Sequence, residues 1–263
     1  MRRRWCIPVA TAALVGGSML AFAGTAGASS AVPRSGPVPV QSGGPAHLIR
    51  PLITARGGSH GTVTSSNWSG YAAHGGTYTS VSARWVEPRA HCSRPGHKYS
   101  SFWVGLDGYV STTVEQTGSE VDCKGGSPRY YSWYEMFPKL PVKFSNRVSP
   151  GDHFAGSVTY NGGGKFTLRL SDTTRGWTHI EHKSQPSARR SSAEVIIEAP
   201  TSDHGVLPLA DFGTAHIIGA GVDGSKIGRH RPTKIIMLSR GTRKDSVTGL
   251  TDGRKFSATW RHS

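Results

Sequence analysis

Burying a lone carboxylate among apolar side chains costs several kcal/mol unless it is paired or protonated, so an acid set between aromatics marks a place where chemistry can be done. Strand side chains alternate between two faces. Along residues 130–137 one face carries Tyr131, Trp133, Glu135 and Phe137, which puts a carboxylate between aromatic rings. Along 193–198 Glu194, Ile196 and Glu198 share a face, and Val195 and Ile197 point the other way. Along 101–107 the set is Trp103, Gly105 and Asp107; along 112–118 it is Val114, Gln116 and Gly118. Four segments each offer at least one polar or ionisable group on such a face. Such an acid, once buried, has a raised pKa and serves as proton donor or acceptor. The bland alternative puts Glu135 and Glu198 on a solvent-facing surface, and composition does not separate the two.

Other chemistries fit less well. His179-Ile180-Glu181-His182 is not H-E-x-x-H, and on a strand its two histidines point to opposite faces, so no metal site is expected. No D-T-G or D-S-G motif occurs. Gly57-Gly58-Ser59-His60-Gly61 fits G-x-S-x-G but has neither a buried strand before it nor a helix after it. Asn67-Trp68-Ser69 is a glycosylation sequon, relevant only in a host with that machinery.

The elements that must position these groups are strands. The 263 residues hold 34 Gly and 16 Pro, which interrupt helices at real cost. No stretch of about a dozen residues keeps a helical apolar stripe free of them. From about Ser65, short runs alternate with turn signals. Strands are expected over 67–72, 80–86, 101–106, 112–117, 130–137, 153–160, 165–171, 177–182, 193–198, 215–219, 234–238 and 256–260. That is the pattern of an all-β, antiparallel two-sheet β-sandwich, a single domain over 64–263.

The residues ahead of that domain read differently. Arg2–Arg4, an apolar stretch and Ala26-Gly27-Ala28 make 1–28 an export signal, with no stable membrane insertion once it is removed. Residues 29–63, rich in Ser, Gly and Pro, read as a flexible leader or pro-segment. The predicted location is extracellular. Signal removal takes away Cys6, leaving Cys92 and Cys123, which in an exported chain suggest one disulfide, two free thiols being the alternative. Three arginines and no acid go with the signal, so the formal charge falls from +15 to +12. The basic residues gather late, from Lys226, Arg229, Arg231 and Lys234 through Arg240, Arg243 and Lys244 to Arg254, Lys255 and Arg261. They form either a plain solvated surface or one that adheres to anionic cell-wall polymers or steers acidic substrates. Nucleic acid is not an expected partner, since no binding module is present.

Five stretches in order resemble the glutamic peptidases, or eqolisins, peptidase family G1. They are Ser66-Asn67-Trp68-Ser69-Gly70, Phe102-Trp103-Val104-Gly105-Leu106-Asp107-Gly108, Gln116-Thr117-Gly118, Trp133-Tyr134-Glu135-Met136-Phe137-Pro138 and Ala193-Glu194-Val195-Ile196-Ile197-Glu198. The resemblance covers residues 65–263. It implies a concanavalin A-like sandwich of two seven-stranded antiparallel sheets with the site on a concave face. It implies a secreted, monomeric endopeptidase acting on polypeptides without a cofactor. The family's catalytic pair falls on Gln116 and Glu198, and its substrate-cleft residues on Trp68, Trp103, Asp107, Glu135 and Phe137. Val195 stands where relatives usually carry an aromatic, and Phe137 where a fungal relative carries Tyr. An acidic pH optimum follows from the family's chemistry and not from this basic composition.

Two other functions compete. A sandwich glycoside hydrolase needs two carboxylates ~5–9.5 Å apart. Glu194 and Glu198, four residues apart on one strand, lie ~13 Å from each other and cannot be that pair; Glu135 with Glu198 across strands could. A non-catalytic carbohydrate- or peptide-binding module could use Trp68, Trp103 and Trp133 as a platform. Gln116 discriminates, because a glycosidase has no particular use for an amide there, and a binding module has none for an inward Glu198.

Overall fold

The computed structural model describes residues 61–263 and, for backbone pairing alone, Val38–Pro39 and Ile53–Thr54. The expected export signal and nearly all of the expected leader lie outside the described residues. The strands that carry the fold are β1 Thr62–Ser65, β2 Trp68–His74, β3 Ser80–Val86, β4 His97–Leu106, β5 Val114–Lys124, β6 Ser127–Phe137 and β7 His153–Tyr160. They continue as β8 Lys165–Asp172, β9 Trp177–Ser184, β10 Ser192–Glu198, β11 Thr214–Val222, β12 Thr233–Ser239, β13 Asp245–Val247 and β14 Phe256–Trp260.

Two main sheets result, beside one two-stranded ribbon, and with their two-residue pieces set aside each main sheet has seven strands. The first runs β6-β5-β4-β10-β2-β12-β1 and the second β9-β8-β7-β3-β11-β14-β13. Neighbours within these sheets are antiparallel except β12 with β1, which run parallel. The period-two pattern explains the layering. In β3 the buried Val81, Ala83 and Trp85 alternate with outward Ser80, Ser82, Arg84 and Val86. The buried set joins Phe102, Val104 and Leu106 of β4, Val195 and Ile197 of β10, and Leu168 and Leu170 of β8 in one core between the sheets.

The strands anticipated over 80–86, 153–160 and 256–260 have those bounds. β5 does not stop after Thr117 but continues through Gly118 to Lys124. The glycine that reads as a stop is there for close approach: a Cβ at Gly118 would lie 2.2 Å from the Phe102 carbonyl oxygen and 2.6 Å from Trp103 Cβ. Two short strands, β1 and β13, were not anticipated, and each is too brief to show a period.

Cys92 and Cys123 form a disulfide, Cα to Cα 5.3 Å, packed with Ala90, Val121 and Ala210. The closed loop contains all of β4 and all of β5 but its last residue, and hence Trp103, Asp107 and Gln116. A loop of that length constrains the unfolded chain by about 3–4 kcal/mol in the chain-entropy model. Among the described residues no helix is long and apolar enough to cross a membrane.

Candidate active site

Register across the first sheet assembles the outer face row by row. One row reads Trp68, Glu198, Ser101, Glu120, Tyr131. The next reads Gly70, Ile196, Trp103, Gly118, Trp133, and the one beyond it Ala72, Glu194, Gly105, Gln116, Glu135. All of these side chains point away from the second sheet. Glycines lie beside tryptophans in the middle row, which lets the large rings lie flat over backbone. Trp68 and Trp103 meet edge to face at 4.8 Å, and with Trp133, Val114 and Ile196 they form an apolar cluster separate from the main core. Phe137, half-buried at the end of β6, packs on its margin.

Glu198 is fully buried at the centre of this cluster. Its Oε2 accepts a hydrogen bond from Trp103 Nε1 at 2.8 Å and its Oε1 one from Asn67 Nδ2 at 3.1 Å. The Trp68 indole N–H faces the same carboxyl without closing a hydrogen bond. Burial pushes the Glu198 pKa well above the usual carboxylate range, the indole and amide donors pull it back, and Glu120 pushes it up again. The Asn67 amide is held the right way round by Ser65, whose hydroxyl donates to Oδ1 and leaves the NH₂ for Glu198.

Gln116, also fully buried, donates from Nε2 to Glu135 Oε2 at 2.6 Å. Burial, and then the charge of Glu198, raise Glu135 well above the ordinary range, while the Gln116 bond opposes them. Gln116 is thus tied directly to Glu135, whose ionisation the charge of Glu198 disfavours. Four buried polar atoms around them have no protein partner: Gln116 Oε1, Glu135 Oε1, Trp68 Nε1 and Trp133 Nε1. A buried polar atom without a partner costs about 1–3 kcal/mol, so a group of them on one face marks where an external polar group completes the set.

Asp107 is set apart from these. It follows β4 directly, with φ +67°, and Oδ1 accepts from Ser111 Oγ, Ser191 N and Ser191 Oγ while Oδ2 accepts from Arg190 N at 2.6 Å. Its carboxylate clamps the loops at residues 111 and 190–191 to the sheet. Glu194 shares the site face two residues along β10 from Ile196, and burial pushes it well up.

Two site residues escaped the sequence reading. Glu120 lies on the part of β5 beyond Gly118, where no strand was expected. Asn67 was visible as a sequon, at the start of an expected strand and within a family-like stretch, but not as a site residue. The structure corrects that reading, since Asn67 is fully buried and its amide is committed to Glu198, so no glycan can be attached in the folded protein. The solvent-facing alternative for Glu135 and Glu198 is likewise excluded by their full burial. In the 179–182 stretch, Glu181 pairs with Lys183 at 2.8 Å and His182 meets Thr167. Among the described residues no group of three His, Cys, Asp or Glu could hold a metal.

Comparison with known proteins bears on the family and the fold. A model of the Peptidase A4 family matches residues 66–253. Scytalido-glutamic peptidase, solved with a transition state analog inhibitor, is 25% identical over 74% of this chain and 98% of its own, with a TM-score of 0.66. SCP-B, described as a member of the eqolisin family and solved with the tripeptide Ala-Ile-His, is 25% identical over 74% of this chain and 98% of its own, with a TM-score of 0.62. Aspergilloglutamic peptidase from Aspergillus niger shares the fold, with a TM-score of 0.57 at 24% identity over 62% of this chain and 99% of its own. No curated protein matches the sequence significantly. The family match spans most of the chain and every segment that builds the buried acid face, and the chain belongs to the Peptidase A4 family, the glutamic peptidases or eqolisins.

Proposed function

We propose that the protein is a secreted endopeptidase in which Glu198 and Gln116 cleave a peptide bond by way of one activated water. The observation that carries the reading is the Glu198 carboxyl, held by Trp103 and Asn67 on the same buried face as the Gln116–Glu135 pair. Glu198 as carboxylate takes a proton from the water, and the hydroxide attacks the substrate carbonyl carbon. The Gln116 NH₂ has two N–H bonds. One is engaged by Glu135, and the other donates to the oxyanion that develops in the tetrahedral intermediate. Gln116 Oε1 accepts from the water and holds it in line. Glu198 then returns the proton to the departing amine, and the C–N bond breaks. Trp68, Trp103 and Phe137 wall the substrate and exclude bulk water. Asp107 contributes by fixing the loop that borders the cleft.

The peptide-based ligands of scytalido-glutamic peptidase and SCP-B support a polypeptide substrate. The Cys92–Cys123 bond supports an oxidising, extracellular destination. In this reading residues 1–28 direct export and 29–63 form a leader removed on maturation, leaving residues 64–263 as the peptidase.

The test is a casein digest by purified Glu198→Gln and Gln116→Ala across acid to neutral pH, with pepstatin present. The expected result is a loss of about 10³-fold or more in kcat for each, at an unchanged melting temperature. Full activity in either folded variant, or release of reducing sugar from polysaccharide without proteolysis, would overturn the reading.

A further inference from the structure

The chemistry above uses none of the cations that gather in the last third of the chain. Two of them, Lys226 and Arg254, border a groove of about 460 Å³ on the outer face of the second sheet, the face turned away from the acid cluster. The groove exists because β11 changes register against β3 between Ile218 and Gly221. Gly219, at φ +67°, and Gly224 put no side chain into that space, and a Cβ at either would meet nothing within 4 Å.

The groove is lined with hydroxyls. One cross-strand row runs Arg169, Ser157, Ser82, Gly221, Lys226, with Thr159 paired to Ser80 alongside. Among the described residues, the hydroxyls of Ser82, Ser157 and Thr159 make no hydrogen bond, and neither Lys226 nor Arg254 has a carboxylate at ion-pair distance. Two acids stand near, and both are committed. Asp223 accepts the backbone N–H groups of Thr79 and Ser80 and the Thr79 hydroxyl, each at 2.8 Å. Asp252 is paired with Lys255 at 2.9 Å, and its carboxylate also feels Lys226 and Arg254.

Free hydroxyls flanked by unpaired cations match a ligand that carries both alcohols and anions. Arg169 and Lys226 stand four strand spacings apart, ~19 Å, too far for one small oxyanion and suited to several repeats of a chain. No aromatic side chain lines the groove, which removes the stacking platform that single-stranded nucleic acid uses. We propose that this groove binds an anionic glycopolymer, a chain of sugars or polyols bearing phosphate or uronate groups. Its anions sit on Lys226, Arg254 and Arg169 and its alcohols against Ser82, Ser157 and Thr159. Held by that face, the protein keeps the acid cluster of the first sheet turned outward, toward passing substrate.

The test measures binding of the full-length exported protein to poly(glycerol phosphate), to polygalacturonate, to neutral dextran and to duplex DNA at physiological ionic strength. Lys226→Ser with Arg254→Ser should weaken binding to the polymer about ten-fold or more. Arg240→Ser with Arg261→Ser, which removes the same charge from exposed positions outside the groove, should change it less than about two-fold. Ser82→Glu, an exposed substitution that leaves both cations in place, should match the first loss. Binding of one anionic polymer and not the other supports the site and names its anion, phosphate or carboxylate. Equal losses in the two double variants, DNA bound as tightly as the glycopolymer, or no binding to either anionic polymer would overturn the proposal. Hydrolysis of a soluble peptide should be unchanged in every variant, so the outcome stands apart from that of the peptidase assay.

Discussion

At the scale of single residues, the site works by disagreement between burial and hydrogen bonding. Burial pushes Glu198 well above the usual carboxylate range; Trp103 and Asn67 donate to its charged form and offset part of that rise. A stronger base is present in a smaller fraction at low pH, so with Glu198 as the proposed base the acid limb of the rate profile should report its ionisation. The sign for each neighbour follows. Asn67→Ala removes a donor to the anion and moves the limb of kcat/KM to higher pH. Glu120→Gln removes a like charge and moves it to lower pH. Opposite displacements in pH-rate profiles on one peptide are the expected outcome; displacement of both in one direction would contradict the assignment of Glu198 as the base. Asn67 and Glu120 were legible in the sequence only as residue types. Nothing in S-S-N-W-S says that the amide is buried, because its partner lies 131 residues away.

At the scale of elements, glycines let the β4–β5–β10–β2 platform hold its tryptophans. A Cβ at Gly70 would come within 2.3 Å of the Val195 carbonyl oxygen, and one at Gly118 within 2.2 Å of that of Phe102. Gly118→Ala therefore prises β5 from β4 under Trp103, the residue that orients Glu198. Overpacking of this kind costs about 1–3 kcal/mol. The expected result is a melting temperature lower by roughly 3–10 °C together with a fall in kcat. An unchanged melting point with full activity would mean that the two strands separate freely. Period-two alternation made β3, β7 and β14 legible to the residue. It hid the second half of β5, because a glycine required by close approach looks the same in sequence as one that ends a strand.

At the scale of the molecule, charge is sorted by depth. Eleven of the sixteen acids are buried, and no Lys, Arg or His among the described residues is. The surface is cationic, which is what a groove for polyanions needs, and burial raises the pKa of several interior carboxyls. Burial raises Glu87 and Glu115 to about 8 and Asp245 to about 6. A group whose folded pKa lies above its unfolded value contributes stability that is complete below the unfolded value, near pH 4, and is lost as pH rises through the folded one. The melting temperature should thus fall between about pH 5 and pH 8, by scanning calorimetry in buffers of matched ionic strength. Glu115→Gln, a neutral isostere, should leave it nearly unchanged at pH 4 and raise it by about 3 °C or more at pH 8. A stability that climbs toward pH 8 in the wild-type chain would refute this. An acid-adapted interior is thus compatible with a basic sequence, a point that net charge alone obscures.

Local pattern and motif order determined the fold class, the strands that carry Gln116, Glu135 and Glu198, and the cysteine pair, because alternation and short motifs are properties of neighbouring residues. Tertiary structure decided what depends on distant partners. Cross-strand register placed Glu120 in the row of Glu198, a buried amide turned a sequon into a support for that carboxyl, and Asp107 became a loop clamp with both oxygens engaged. The outer groove is of the same kind: its hydroxyls and cations come from segments up to about 170 residues apart, and only the bulge in β11 opens the space between them. A residue's type is written in the chain, but its solvation and its neighbours' charges, which set pKa and reactivity, exist only once the sheets have packed.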